Sequence, residues 1–357
     1  MAILSRRAVL AGGASSAGAF LTAGLSGAFA HDSTAPMGAW SPLANMPFPV
    51  QEIYPAPFWR ASSNGADRLK QKPFNIIVNA GGLTPDFPHE VTDKVTYYDP
   101  LYDAWGYGTS LPAPRHHIAL VNSNGFLYAL GGFARNQNGG WQNSADCWRI
   151  DRINSEWRAV RPLPHPQSET VCASLAGFVH VVGGRAPAGS ANAEWRDHID
   201  TDEHWLYDPL TDRWEALAPM PTARNSAAGA VVGGVLYVMG GRTVRDGNLT
   251  AMEAYDPLSN RWSRAKPMPK AQAGLAAGVI DGKIYAFGGE FFGGGGGVFA
   301  EAWEYDPARD DWRAVAAMPR KRHGLGAVSL DGAIYALGGA AKVGGDETTM
   351  ALDKFEI

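Results

Sequence analysis

The chain has 357 residues and a formal charge of −4, with 45% hydrophobic residues, 43 glycines, 12 tryptophans and two cysteines. That acidic balance argues against nucleic acid or an anionic membrane as the main partner, and two cysteines are too few for a disulfide framework. Abundant glycine and aromatics with modest charge point to an ordered β protein and exclude a disordered chain.

Ser5-Arg6-Arg7-Ala8-Val9-Leu10 reads as a twin-arginine export signal, followed by an apolar Gly/Ala-rich stretch and a small-x-small cleavage site at Ala28-Phe29-Ala30. The competing reading is an uncleaved anchor helix, which Gly12, Gly13, Gly18, Gly24 and Gly27 interrupt. Cleavage after residue 30 predicts one mature domain over 31–357, working in the periplasm or outside the cell. That domain starts at His31 and carries 29 basic and 35 acidic side chains, a net −6, with no further apolar run long enough to cross a bilayer. His31 at a free N-terminus offers an amine and an imidazole to copper, a pattern too short to carry weight.

From Trp40 onward the chain repeats. Trp, five residues, Met or Leu, then Pro occurs six times, at Trp40…Pro47, Trp105…Pro112, Trp157…Pro164, Trp214…Pro221, Trp262…Pro269 and Trp312…Pro319. A Gly-Gly pair follows each copy: Gly81-Gly82, Gly131-Gly132, Gly183-Gly184, Gly240-Gly241, Gly288-Gly289 and Gly338-Gly339. Pro to the first Gly is 19 residues in five copies and 34 in the first. A period near 50 residues marks a repeat architecture. In the unit 224–269, strands are predicted at 227–232, 235–239 and 252–255, with Trp262 opening a fourth. Gly233-Gly234 makes a hairpin turn and Asp256-Pro257 stops the third strand, because proline has no N–H for the ladder. Tyr98, Tyr207, Tyr255 and Tyr305 each precede their Trp by seven residues, each followed by Asp-Pro.

This Gly-Gly…Tyr-Asp-Pro…Trp…Met-Pro series resembles the kelch repeat over essentially the whole mature chain. The resemblance implies an all-β, six-bladed propeller, whose blades protect their edges by radial repetition. Only 18 residues follow Gly339, enough for a third strand but no Trp strand, while Trp40 precedes the first unit with no third strand of its own. The N-terminal strand is therefore expected to complete the sixth blade and close the ring.

Gly to Trp varies between 22 and 31 residues, so length variation sits in the loop between second and third strands, on the face where each innermost strand begins. A variable rim on a rigid scaffold is a binding surface in the making. The extra residues of the first unit are expected in a solvated hairpin over 61–70. Three residues after each Pro come Val50, Arg115, Gln167, Arg224, Gln272 and Arg322, which are expected to ring the channel mouth. Arg115, Arg224 and Arg322 would then cradle an anion, since guanidinium forks suit carboxylate, sulfate or phosphate. The alternative is that they bond carbonyls of the neighbouring blade. Gln51, Glu52, His116, His117, Glu169, Asn225 and His323 stand beside them. Trp141, Trp195, Phe291, Phe292 and Phe299 in the long loops offer flat apolar area to a sugar or peptide, or tuck under their own loops. The acidic run 194–204 could hold Ca²⁺ or Zn²⁺, but its spacing matches no known cage, and a solvated loop is the simpler reading. Cys147 and Cys172 read as buried thiols more readily than as a pair.

Two functions follow. Kelch domains serve mostly as interaction platforms, which implies a binding module for an acidic small molecule, a glycan or a protein partner, without cofactor or metal. The chain is also similar, as an exported six-bladed kelch protein, to the sialic acid mutarotases, an isomerase chemistry that needs a general acid and base near a sugar ring. Glu52, Glu169, His116, His117 and His323 are the candidates for that work. Copper oxidation of the galactose oxidase-like kind needs a Tyr/Cys/His set and usually seven blades, and fits poorly.

Overall fold

A computed structural model of the chain describes residues 37–59, 75–85 and 90–357. The leader, His31 and the hairpin expected over 61–70 lie outside the described residues.

Among the described residues six antiparallel blade sheets follow one another along the chain, each built on four strands, the fifth with a short extra strand, Gly297–Val298. The fourth blade shows the pattern: Ala228–Val232, Val235–Met239, Met252–Asp256 and Arg261–Arg264, joined by short turns. The strands lie within a residue or two of those read from Gly233-Gly234 and Asp256-Pro257. The sixth blade consists of Gly326–Leu330, Ala333–Leu337 and Leu352–Glu356, and its outer strand is Ala39–Pro42 from the other end of the chain. Trp40 pairs with Phe355 in that closing ladder, as expected.

The repeated residues bind blade to blade. Each repeat Trp donates its indole N–H to the carbonyl four residues past the preceding unit's Trp: Trp105 to Ala44, Trp157 to Thr109, Trp214 to Arg161, Trp262 to Ala218 and Trp312 to Lys266, at 2.8–3.0 Å. Trp40 completes the circle by donating to Ala316 at 2.8 Å. Each repeat Tyr donates its hydroxyl to the side chain five residues on, from Tyr98 to Asp103, Tyr207 to Asp212, Tyr255 to Asn260 and Tyr305 to Asp310. Those four acceptors also take a backbone N–H from the neighbouring unit, at Ala44, Arg161, Ala218 and Lys266. The Met or Leu of each motif is buried between blades, at Met46, Leu111, Leu163, Met220, Met268 and Met318. The repeat signature is thus a set of inter-blade fasteners, which is why it recurs at a constant period.

All six blades line one narrow axial cavity of about 110 Å³ at the start of their innermost strands, bounded by Tyr54, Pro55 and small residues such as Ala119, Ala227, Ala276 and Ala327. Small side chains let the strands crowd the axis; a Cβ at Gly326 would overlap the Pro55 ring. The variable loops form rim hairpins, among them Phe133–Arg135 with Trp141–Asn143 and Arg185–Pro187 with His198–Asp200. Cys147 and Cys172 are free thiols, and burial raises the pKa of both. Among the described residues no helix is long and apolar enough to cross a membrane.

Candidate functional site

Three consecutive positions open each innermost strand, and the fold uses them differently. At the first, three residues after the Pro, the arginines do not meet on the axis. Each turns into its own blade and pairs with a carboxylate at its third strand: Arg115 with Asp146 at 2.5 Å, Arg224 with Glu253 at 2.7 Å and Arg322 with Asp353 at 2.9 Å. Arg224 and Arg322 also donate to the second-strand carbonyls of Val238 and Ala336. Gln167 follows the same rule toward Glu203, and Gln272 toward the Gly288 carbonyl. The expected anion cradle of Arg115, Arg224 and Arg322 is therefore corrected. The reason is electrostatic: Arg224 and Arg322 are buried in the sheet and meet a buried carboxylate without which a charge would be stranded, while Arg115 meets the half-exposed Asp146.

The third position, five residues after the Pro, lies at the axis. Glu52, His117, Glu169 and Ser226 adopt left-handed backbone with φ of 55°, 51°, 55° and 50°, and Gly274 and Gly324 complete the ring at 63° and 58°. Backbone bonds run around it, from His117 N to Glu52 O, Glu52 N to Gly324 O, Gly324 N to Gly274 O and Gly274 N to Ser226 O, at 2.7–3.0 Å. Such a conformation costs a non-glycine residue on the order of 1 kcal/mol, and here it turns charged side chains from separate blades toward one another. Glycine at 324 is also a matter of room: a Cβ there would stand 2.8 Å from the Glu52 carboxyl carbon.

The resulting cluster is tightly coupled. His117 Nε2 lies 2.6 Å from Glu52 Oε2 and 3.6 Å from Glu169 Oε1. Its Nδ1 stands 2.7 Å from Nδ1 of His116. Burial and the charge of His117 push His116 well below the usual histidine range, so His116 is neutral and its Nδ1 accepts. Burial would lower His117 too, but Glu52 and Glu169 outweigh it and raise its pKa. Burial would likewise raise Glu52, yet His117, His323 and Arg242 hold its carboxyl below the usual range. When protonated, His117 donates one N–H to Glu52 and the other to His116. One carboxylate oxygen of Glu169 is buried without a hydrogen-bond partner. His323 sends Nε2 to the Lys342 carbonyl and faces Glu290 and Glu52 with Nδ1, at 3.4 and 3.8 Å.

The rim supplies residues that the Pro-based comparison missed. The residue after each Gly-Gly pair is Leu83, Phe133, Arg185, Arg242, Glu290 or Ala340. Each is paired through its backbone with the second position of an innermost strand, for example His116 with Phe133, Ser168 with Arg185 and Asn225 with Arg242. Arg242 pairs with Glu290 at 2.7 Å, and its pKa, lowered by burial, is raised overall by Glu169, Glu290 and Glu52. Reading the register after Gly-Gly as well as after Pro would have found both. Asn225 donates to Asp200 of a rim hairpin at 2.5 Å.

Aromatic rings edge the mouth. Trp141 meets His116 edge-on at 4.4 Å, and Trp195, 39% exposed, packs on Phe133 at 5.0 Å. Phe292 is 59% exposed beneath Arg242, whereas Phe299 is buried against Phe291 and belongs to its own loop. The acidic run 194–204 is structural. Asp197 caps Ala193 and Glu194, Asp200 holds Asn225 and the Val244 N–H, and Glu203 holds His165 and Trp205. His204 is turned inward against His180 at 2.9 Å.

Six blades in a ring, with charged side chains of separate blades meeting where the innermost strands begin, define the class as a β-propeller. The family profile for the KLHDC2/KLHL20/DRC7 Kelch-repeats domain matches residues 76–289 and 195–353, and the chain belongs to the kelch-repeat family. It is 27% identical to Kelch-like protein 36 of Rattus norvegicus over 171 residues, covering 48% of this chain and 26% of that protein. It is 25% identical to Beta-scruin of Limulus polyphemus over 213 residues, 56% of this chain and 21% of that protein. The chain thus spans about a quarter of the length of these relatives. A solved structure titled "Structure of YjhT" superposes with a TM-score of 0.70 at 17% identity, covering 87% of this chain and 96% of that one.

Proposed function

We propose that this kelch propeller is a binding module that takes a hydroxyl-rich small molecule, a carbohydrate, at its axial funnel. The convergence of Glu52, His117 and Glu169 from three blades carries the reading, with a Glu169 oxygen buried and unpartnered. Buried polar atoms are normally satisfied, and a ligand hydroxyl would satisfy this one. Trp141, Trp195 and Phe292 offer faces and edges on which a sugar ring stacks. Calorimetric titration with a panel of monosaccharides tests it: binding lost in Glu169→Gln supports the reading. Saturable binding of a protein partner with no sugar bound would replace it with an interaction platform.

A second reading is favoured by one pair. In Glu52 and His117 a carboxyl and an imidazole stand 2.6 Å apart, the pKa of the first pushed down and that of the second up. That is a base and an acid side by side, the equipment for mutarotase-like anomer interconversion. Proton NMR of a freshly dissolved acidic sugar decides it: acceleration that Glu52→Gln abolishes makes the protein an enzyme, and binding without acceleration leaves it a module. We also propose export through the twin-arginine signal at Arg6-Arg7. Fractionation and N-terminal sequencing test this, with an Arg6→Lys/Arg7→Lys variant retained in the cytoplasm as the expected outcome.

A further inference from the structure

We propose that the axial ring holds a niche for the hydroxymethyl arm of a hexose and that Gly274 keeps this niche open; this rests on the carbohydrate-binding reading above. The six positions five residues after the Pro are not alike around the ring. Blades one to three place Glu52, His117 and Glu169 there, and blades four to six place Ser226, Gly274 and Gly324. Half of the ring is filled by long polar side chains and half is nearly bare.

The two glycines are bare for different reasons. A Cβ at Gly324 would stand 2.8 Å from the Glu52 carboxyl carbon, so the Glu52 side chain already occupies that place. A Cβ at Gly274 would meet nothing closer than 3.6 Å, an ordinary van der Waals contact. Nor does the backbone demand glycine at 274. Its φ is 63°, and Ser226, one blade back, holds 50° with a side chain in place. Backbone bonds fix the floor: the Gly274 N–H donates to Ser226 and its carbonyl receives the Gly324 N–H, at 2.9 and 3.0 Å. The missing side chain leaves room for the equivalent of a serine arm.

The wall of this niche calls for a hydrogen-bond donor. His323 Nδ1 lies 3.8 Å from the Cβ position of Gly274. His323 is 1% exposed, its Nε2 is engaged with the Lys342 carbonyl at 2.9 Å, and its Nδ1 is buried with no hydrogen-bond partner. In the neutral ring that Nδ1 carries a lone pair, and the atoms facing it, Glu290 Oε2 at 3.4 Å and Glu52 Oε1 at 3.8 Å, are acceptors as well. A group seated over Gly274 is therefore short and ends in a donor, which describes a hydroxymethyl. A carboxylate would set its lone pairs against those already there, and a pentose, lacking the arm, would leave the niche empty. The arm donates to His323 Nδ1, while another hydroxyl of the same sugar reaches the unpartnered oxygen of Glu169, three blades away.

The experiment titrates hexose–pentose pairs that differ only by this arm: D-glucose with D-xylose, D-galactose with L-arabinose and D-mannose with D-lyxose, by calorimetry or ligand-observed NMR. In the pair whose ring hydroxyls fit, the wild-type protein is expected to bind the hexose about 10-fold more tightly, the scale of one buried carbon with a satisfied hydroxyl. Gly274→Ser fills the niche with the atoms of the arm itself and should bring the hexose down to the level of its pentose, with the fold intact by circular dichroism. Gly274→Asn, a side chain that tolerates left-handed backbone, gives a second arm with the same expected loss. Equal binding of hexose and pentose by the wild type in every pair, or a preference surviving in both variants, overturns the niche and leaves the carbohydrate reading standing. Binding of none of these sugars overturns both.

Discussion

Replacing Glu253 by Ala tests whether the arginines that open alternate blades are structural. Arg224 has a fully buried side chain whose Nη1 lies 2.7 Å from Glu253 Oε2, and Glu253 is itself 2% exposed at its side chain. Burial lowers the Arg224 pKa and Glu253 opposes that shift, so the carboxylate is what makes the charge tolerable there. Removing one partner of such a pair costs about 3–5 kcal/mol, because the other charge stays behind without compensation. Glu253 also accepts the Thr222 hydroxyl at 2.7 Å, which adds to the loss. Unfolding entropy of about 2.1 cal/mol/K per residue over about 320 residues gives close to 0.7 kcal/mol/K, so the melting point should fall by about 4–7 °C. Asp146→Ala is the internal comparison. Asp146 is 54% exposed in its pair with Arg115, and solvent screening limits its cost to about 1 kcal/mol or less. Scanning calorimetry of both variants reads the difference. Equal losses, or an unchanged melting point with lost ligand binding in Glu253→Ala, would refute the reasoning.

Further expectations concern acid, the axis and the closure. His180 and His204 form a buried neutral pair whose pKa values burial depresses to about 4 and about 3, from 6.5 in the open chain. Their contribution is complete above pH 6.5 and disappears as pH falls toward 4, because the unfolded state takes up the protons first; His180 alone accounts for about 3 kcal/mol. Denaturant titrations between pH 7 and 4 should show that slope, and a His180→Leu/His204→Leu variant should flatten it. Gly324→Ala should lower ligand affinity at least 10-fold and cost about 1–2 kcal/mol, since φ is 58° and the new Cβ meets the Glu52 carboxyl; binding and melting measured together check it. Deleting residues 37–42 removes Ala39–Pro42 and exposes the Leu352–Glu356 edge, so concentration-dependent association by light scattering is expected. A monodisperse deletion variant would show that the closing strand is dispensable.

The circle was legible in the chain because its fasteners are one-residue chemistries repeated at a fixed period. An indole N–H needs a carbonyl, a left-handed Asp or Asn anchors a Tyr hydroxyl, and a buried Met or Leu fills the gap between blades. Each leaves a spacing that survives without coordinates. Even the odd ends, Trp40 without a third strand and Ile357 without a Trp strand, declared the closure. Candidate site residues were half legible. Glu52, His116, His117, Glu169 and His323 were found by their distance from the Pro and do stand together at the axis. Arg242, Glu290 and Arg185 were missed, because they belong to the register after the Gly-Gly pair and come from other strands.

What only the tertiary structure decided is the direction of each side chain. Positions 224 and 226 are two residues apart, yet Arg224 turns into the sheet toward Glu253 while Ser226, with φ of 50°, takes its place on the axial ring. A single left-handed residue reverses which way a strand faces, and neither spacing nor composition records that rotation. The sequence by itself determined six blades and their closure, since these follow from repeated local contacts. Whether an arginine meets a carboxylate or a ligand depended on residues about thirty positions away, brought near only when the sheet formed.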